Sequence, residues 1–148
     1  QDFDALLIPL GNGAMLNGVA RYAKAHSSAQ IIAVQASGAP AMLESWRAGR
    51  VIEHQRIETI ADGIGVRVPI LEALSDMNGL VDDGLTVSED SIIVAMKLIH
   101  QHLGAVSEPS GAVGVAAILE HQLRFAGQRV ATVICGGNLT PEQMAHWL

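Results

Sequence analysis

Gly11-Asn12-Gly13-Ala14 lies directly between an uncharged apolar run that begins at Ala5 (ALLIPL) and an amphipathic run that continues from Met15 to Lys24. These residue types at this spacing can hold an anion. Glycines at alternate positions tolerate positive φ and let a tight turn aim backbone N–H groups inward; a helix starting near Ala14 adds unpaired N–H groups and its positive dipole end. Phosphate is the matching guest, although a bare G-x-G also serves as an ordinary strand-to-helix turn, so the loop alone leaves both readings open. A second glycine turn, Cys135-Gly136-Gly137-Asn138, likewise follows an apolar run. Its cysteine is either a thiol exposed to a crevice or a small buried hydrophobe. Glu108 stands before Pro109 and a strongly apolar stretch, either as a carboxylate at a helix start or as a polar group aimed into a site.

Other chemistries find less support. A dinucleotide fingerprint needs a third glycine where Leu16 stands and an acidic end to the second strand, which here ends in Gln35 and Ala36. A P-loop needs Gly-Lys-Ser/Thr, which is absent. His100 and His102 are two apart and point to different faces of a helix, so they read as solvated surface. Asp82-Asp83 reads as a charged strand end rather than a cation site. No metal-ligand spacing is present, and no metal is expected.

The elements that must position these groups alternate along the chain. Apolar runs at Ala5, Gln30 to Val34, Leu80 to Val87 and Val130 to Cys135 read as strands. Between them, helices are expected over Ala14 to Lys24, Ala39 to Ala48 (closed by Gly49), Ile70 to Met77, and onward from a Ser88 cap. In that last helix Ile92, Met96, Ile99 and Leu103 recur at helical spacing and are expected in the core. Ala112 to Leu119 is apolar all round, as a helix buried between layers must be, and Gly111 and Gly114 permit close approach. Thr140-Pro141-Glu142-Gln143 is a capping signature. Val51 to Pro69 lacks a sustained period and reads as ordered loop with a short strand. The alternation predicts a three-layer α/β fold with a mostly parallel sheet, whose ligands sit beyond the carboxyl ends of the strands.

Composition narrows the class. The 148 residues are 49% hydrophobic, 16% charged and 3% aromatic, which suits one domain of helices packed closely on a parallel sheet. A net charge of -6 without a basic run gives no footprint for nucleic acid or an anionic membrane. Ala5 to Ala20, free of charge but broken by glycines and asparagines, is too short to span a bilayer. A single cysteine and no visible leader point to a reduced, cytoplasmic setting. The chain starts at Gln1, without Met, shortly before its first strand, and is expected to be part of a longer protein.

Four segments in register, IPLGNGAMLNG, TIADGI, SEPSGAVGVAA and VICGGN, together resemble the C-terminal half of the threonine/serine dehydratase and serine racemase family. These are pyridoxal-phosphate (PLP) enzymes of fold type II, the tryptophan synthase β type, and the resemblance runs from about Asp4 to Gln143. It implies that Gly11, Asn12, Gly13, Ala14 and Met15 hold the cofactor phosphate, with Asn12 and Ala14 in place of family glycines. It also implies that Gly63 lets backbone pack flat against the cofactor ring, that Ala61 and Asp62 lie on the substrate side, and that Glu108 sits near the ring edge. Cys135 then faces the pyridine nitrogen, leaving it largely unprotonated in a way that suits β-elimination. Some members bind a divalent cation just after the second strand; Gln35, Ala39 and Ala41 match those positions, lack two of the carboxylates, and imply no cation.

The family's Schiff-base lysine and substrate-carboxylate loop lie in the N-terminal half, which has no match here. Only Lys24 and Lys97 are present, at outward-facing helical positions. The resemblance therefore implies a parent PLP-dependent ammonia-lyase acting on a small hydroxy-amino acid, inactive as this chain alone and expected to self-associate as a homo-oligomer. A serine racemase parent, or a natural half-protein that binds a phosphate ligand, remains as an alternative.

Overall fold

The computed structural model describes residues 3–148. Four parallel strands form one sheet: β1 (Ala5–Pro9), β2 (Gln30–Ala36), β3 (Asp83–Val87) and β4 (Val130–Thr132), in the spatial order β3-β2-β1-β4. Register runs Ala5 opposite Gln30 and Ala5 opposite Val130, so β1 is flanked on both sides. Side chains of β1 alternate between two cores, as the strand period requires. Leu7 joins Ile32 and Val34 beneath one helical layer; Ile8 joins Ile31 and Ala33 beneath the other.

The second core is closed by α1 (Ala14–His26), α2 (Ala41–Ala48) and α3 (Leu71–Met77), through Leu16, Met42, Leu43 and Met77. The first is closed by α4 (Glu89–Leu103) and α5 (Pro109–Glu120); α6 (Gln122–Phe125) and α7 (Pro141–Trp147) follow. α5 is buried over Pro109 to Gly114 and again at Ala116 and Ala117. Gly114 makes this fit possible, since a Cβ there would stand 2.8 Å from the Thr132 Cβ on β4. Large buried side chains such as Leu7, Ile8 and Ile32 each contribute roughly 1.5–3 kcal/mol when removed from water.

Four sequence expectations change. Leu103 is 67% exposed, not core, because the whole last turn of α4 from His100 to Gly104 is exposed and overhangs the layer it packs on. α2 begins at Ala41 rather than Ala39, since a residue before proline is disfavoured in helical geometry and Pro40 becomes the cap. Among the described residues no strand forms between Val51 and Pro69; a 3-10 turn, Asp62–Ile64, stands there, and its surroundings bond to side chains and loops, as Ile60 N–H does to Glu89 Oε2 at 2.8 Å. β4 stops at Thr132 instead of continuing to Cys135, because the chain then turns to α5, where the Gly136 carbonyl accepts from Glu108 N–H at 3.0 Å.

Candidate functional site

The strand order reverses between β1 and β4. Connections from β1 run outward through β2 to β3, then the chain returns to pair β4 with the free side of β1. Loops leaving the carboxyl ends of β1 and β4 therefore diverge around one crevice, the place where open parallel sheets bind ligands. A cleft of about 390 Å³ occupies it, lined by the Gly11–Gly13 turn and by Cys135 at the head of the second glycine turn.

At one side the Gly11–Gly13 turn meets α1. Gly13 is the N-cap, with φ 96° and no capping side chain, so the chain turns into the helix through a left-handed residue. The first intrahelical bond runs from Asn17 N–H to the Gly13 carbonyl at 2.9 Å, so the N–H groups of Met15 and Leu16 have no helical partner. That of Ala14 is taken by Asn12 Oδ1 at 3.1 Å. Gly11 differs from expectation. Its φ is not positive; it is needed for approach, because a Cβ would stand 3.3 Å from the Ile64 Cα. Asn12 and Ala14 also avoid positive φ, so neither replacement for glycine strains the loop. Asn17, which the sequence reading passed over, ties the helix start to α3 by donating from Nδ2 to the Ala73 carbonyl at 3.0 Å.

The opposite wall comes from the 3-10 turn, the start of α5 and the loop after β4. Gly63, Glu108 and Cys135 all line the cleft with Gly11, Asn12, Gly13 and Met15. Glu108 is fixed by its Oε2, which accepts from Asn138 N–H at 3.1 Å, and by Gly136, where a Cβ would stand 2.5 Å from the carboxylate. Cys135 is exposed to the cleft; partial desolvation, and more weakly the Glu108 charge, push its thiol above its ordinary pKa, so it stays protonated at neutral pH. Its Sγ lies 3.8 Å from the Ser110 carbonyl.

Not every candidate converges. Ala14 lines an adjoining depression with Arg21 and Glu72 instead of the cleft. Ala61 is fully buried in the core and Asp62 is exposed, and neither is part of the cleft lining. Gln35 is fully buried, its Oε1 accepting from Leu43 N–H at 2.9 Å and so capping α2 from the neighbouring strand. Ala39 and Ala41 are buried beside it. Among the described residues no three His, Cys, Asp or Glu side chains gather as a metal site, and no helix is long and apolar enough to cross a membrane. Asp82 serves structure, accepting from Ile31 N–H at 2.6 Å and pairing with Lys24, while Asp83 pairs with Arg124 at 2.7 Å. Lys24 thus sits at the amino end of the sheet, away from the cleft, and Lys97 is exposed on α4. Ser110, Ile64 and Val66 also line the cleft but were not singled out from sequence. Ser110, inside the EPSGA segment, and Ile64, inside TIADGI, carried a signal that could have found them.

The family profile described as pyridoxal-phosphate dependent enzyme matches residues 1–136. The chain is 34% identical over 139 residues to the L-threonine ammonia-lyase of Thermotoga maritima, covering 93% of this chain and 34% of that protein. It is 36% identical over 145 residues to the serine racemase of Arabidopsis thaliana, covering 94% of this chain and 44% of that one. The processed form of threonine deaminase isoform 2 from Solanum lycopersicum superposes with a TM-score of 0.92 at 26% identity, over 99% of this chain and 43% of that one. The chain thus spans less than half the length of these relatives. A profile match over nearly all its residues, joined to a backbone shared with such enzymes and a glycine turn at the sheet's switch point, makes this chain a member of the pyridoxal-phosphate-dependent enzymes of fold type II.

Proposed function

We propose that this chain is the phosphate-cradling portion of a PLP-dependent ammonia-lyase that converts threonine or serine to a 2-oxo acid and ammonia. The observation that carries the reading is the convergence of the Gly11–Gly13 turn, Gly63 and Cys135 on one cleft at the β1/β4 switch point. The residues present fit the cofactor. Met15 and Leu16 N–H groups and the positive end of α1 suit its phosphate, Gly63 offers a wall without a side chain, and Cys135 is a neutral donor. When bound, the cofactor supplies an electron-withdrawing ring conjugated to the substrate's α-carbon.

Each residue then has a task. The turn neutralises and orients the phosphate through backbone groups that are already in place, at no cost in side-chain ordering. Cys135, open to the cleft and kept protonated by partial desolvation, would donate weakly to the ring nitrogen without protonating it, which suits departure of a β-hydroxyl. Glu108, anchored by Asn138 N–H, keeps a carboxylate at the cleft margin. What is not supplied is an amine: neither Lys24 nor Lys97 lines the cleft. Imine chemistry therefore needs a lysine from outside these residues, and the 148-residue chain alone is inactive in this reading. Self-association forms part of the proposal, supported by exposed Val94, Leu103 and Leu123.

A serine racemase parent is the second reading, favoured by the 36% identity to the Arabidopsis serine racemase, as high as the 34% to the ammonia-lyase. The test is product analysis with the full-length protein. L-threonine and L-serine are supplied with PLP, and 2-oxo acid, ammonia and D-serine are measured together. Equimolar oxo acid and ammonia in excess of D-serine support the lyase; predominant D-serine supports the racemase. Turnover by the 148-residue chain alone refutes its proposed inactivity.

A further inference from the structure

The cleft wall holds a hydroxyl that the fold does not use. Ser110 is the second residue of α5 and only 2% exposed, yet its Oγ has no hydrogen-bond partner among the described residues. It lines the same cleft as Gly63, Glu108 and Cys135. A serine inside a helix ordinarily turns its hydroxyl to a carbonyl one turn back. At the second position of α5 no helical turn precedes it. Its neighbour Ser107 shows the local alternative, donating to the Glu108 carbonyl at 3.0 Å.

No neighbouring group bonds the Ser110 Oγ, and the cleft it lines leaves room for a ligand acceptor. On the Gly63 side, a Cβ would stand 2.8 Å from the Oγ and 3.3 Å from Glu108 Oε1, so the hydroxyl faces backbone kept bare of a side chain. Glu108 Oε2 is already engaged by Asn138 N–H at 3.1 Å. Cys135 Sγ lies against the Ser110 carbonyl, not its hydroxyl. A buried donor without a partner is costly in the empty protein and is relieved when a ligand brings an acceptor.

We propose that Ser110 donates its hydroxyl proton in a hydrogen bond to the ring of the bound phosphorylated pyridine, as a second neutral donor beside Cys135. The inference rests on the reading of this cleft as the PLP site and adds to it a ring contact. No bond is made or broken; the serine positions the ring. Both donors are uncharged, so together they hold the ring without forcing a proton onto its nitrogen.

The probe is pyridoxine 5′-phosphate, which keeps the ring and phosphate but has no aldehyde, so its binding needs no lysine. Full-length wild type, Ser110→Ala and Thr132→Ala are titrated by ring fluorescence and absorbance, and melted with and without probe. Thr132 is the control because its Oγ1 is likewise buried without a partner but lies outside the cleft. Ser110→Ala is expected to bind about five- to tenfold more weakly, with an altered ring spectrum and no loss of melting temperature in the absence of probe. Thr132→Ala is expected to bind as wild type does. Unchanged affinity in Ser110→Ala, or a lowered probe-free melting temperature with affinity retained, overturns the inference and leaves the cofactor reading standing. Failure of the wild type to bind the probe overturns the cofactor reading itself.

Discussion

Replacing Gly13 by alanine isolates the residue on which the Gly11–Gly13 turn depends. At φ 96° it is left-handed, and placing an L-residue such as alanine there costs about 1–2 kcal/mol. The new Cβ would also stand 3.0 Å from the Ala73 Cβ. That methyl is fixed by the backbone of α3 and cannot swing aside, which adds about 1 kcal/mol of overpacking. Against this, the stiffer unfolded chain returns about 0.5–1 kcal/mol. The net expectation is a loss of about 1–2.5 kcal/mol in unfolding free energy. Urea titration of the full-length protein, followed by circular dichroism, measures it. Because the same strain redirects the N–H groups that follow, affinity for pyridoxine 5′-phosphate should fall at least about tenfold, the equivalent of 1.4 kcal/mol. Gly13→Asn separates the two causes, since asparagine accepts left-handed geometry but still meets Ala73. Recovery of most of the stability with asparagine assigns the loss to φ; none assigns it to the contact. An alanine variant within about 0.5 kcal/mol of wild type, a shift typical of inconsequential substitutions, with unchanged affinity refutes the argument.

Two further outcomes follow from side-chain electrostatics. Partial burial pushes Asp83 and Glu120 upward, but Asp83 is outweighed by Arg124, Gly84 N–H and Arg47, and Glu120 by the Ser91 and Ser88 hydroxyls and Ser88 N–H, so both carboxyls sit below their ordinary pKa. With folded values below unfolded ones, their stabilisation is complete above the ordinary carboxylate range and is lost as pH falls through the folded values. Melting temperature should therefore drop at acid pH, less steeply in Arg124→Gln; equal slopes would dismiss the Asp83 pair as a contributor. Cys135, pushed up by partial desolvation and Glu108, should be alkylated by iodoacetamide more slowly than free cysteine at neutral pH, and faster in Glu108→Gln. A wild-type rate equal to that of free cysteine contradicts this.

What the sequence determined by itself was local. Short apolar runs marked the strands, and period-3.6 patterning most helices, because burial leaves its trace residue by residue. The Thr140 capping box formed as expected, with Gln143 N–H donating to Thr140 Oγ1 at 3.2 Å and Thr140 N–H to Gln143 Oε1 at 2.9 Å. Gly13 required its positive φ, and four motifs in register named the family. Tertiary structure decided what no local pattern encodes. Gly11 is glycine because Ile64, more than fifty positions later in the chain, comes against it. Gln35 spends its carbonyl on α2, and the Ser110 hydroxyl is left unused at the cleft wall. Leu103 has the right phase for the core but projects beyond the layer that would cover it. Each of these depends on which elements become neighbours. That is set by the β3-β2-β1-β4 order, a long-range pairing whose free energy belongs to the assembled sheet and not to any single segment.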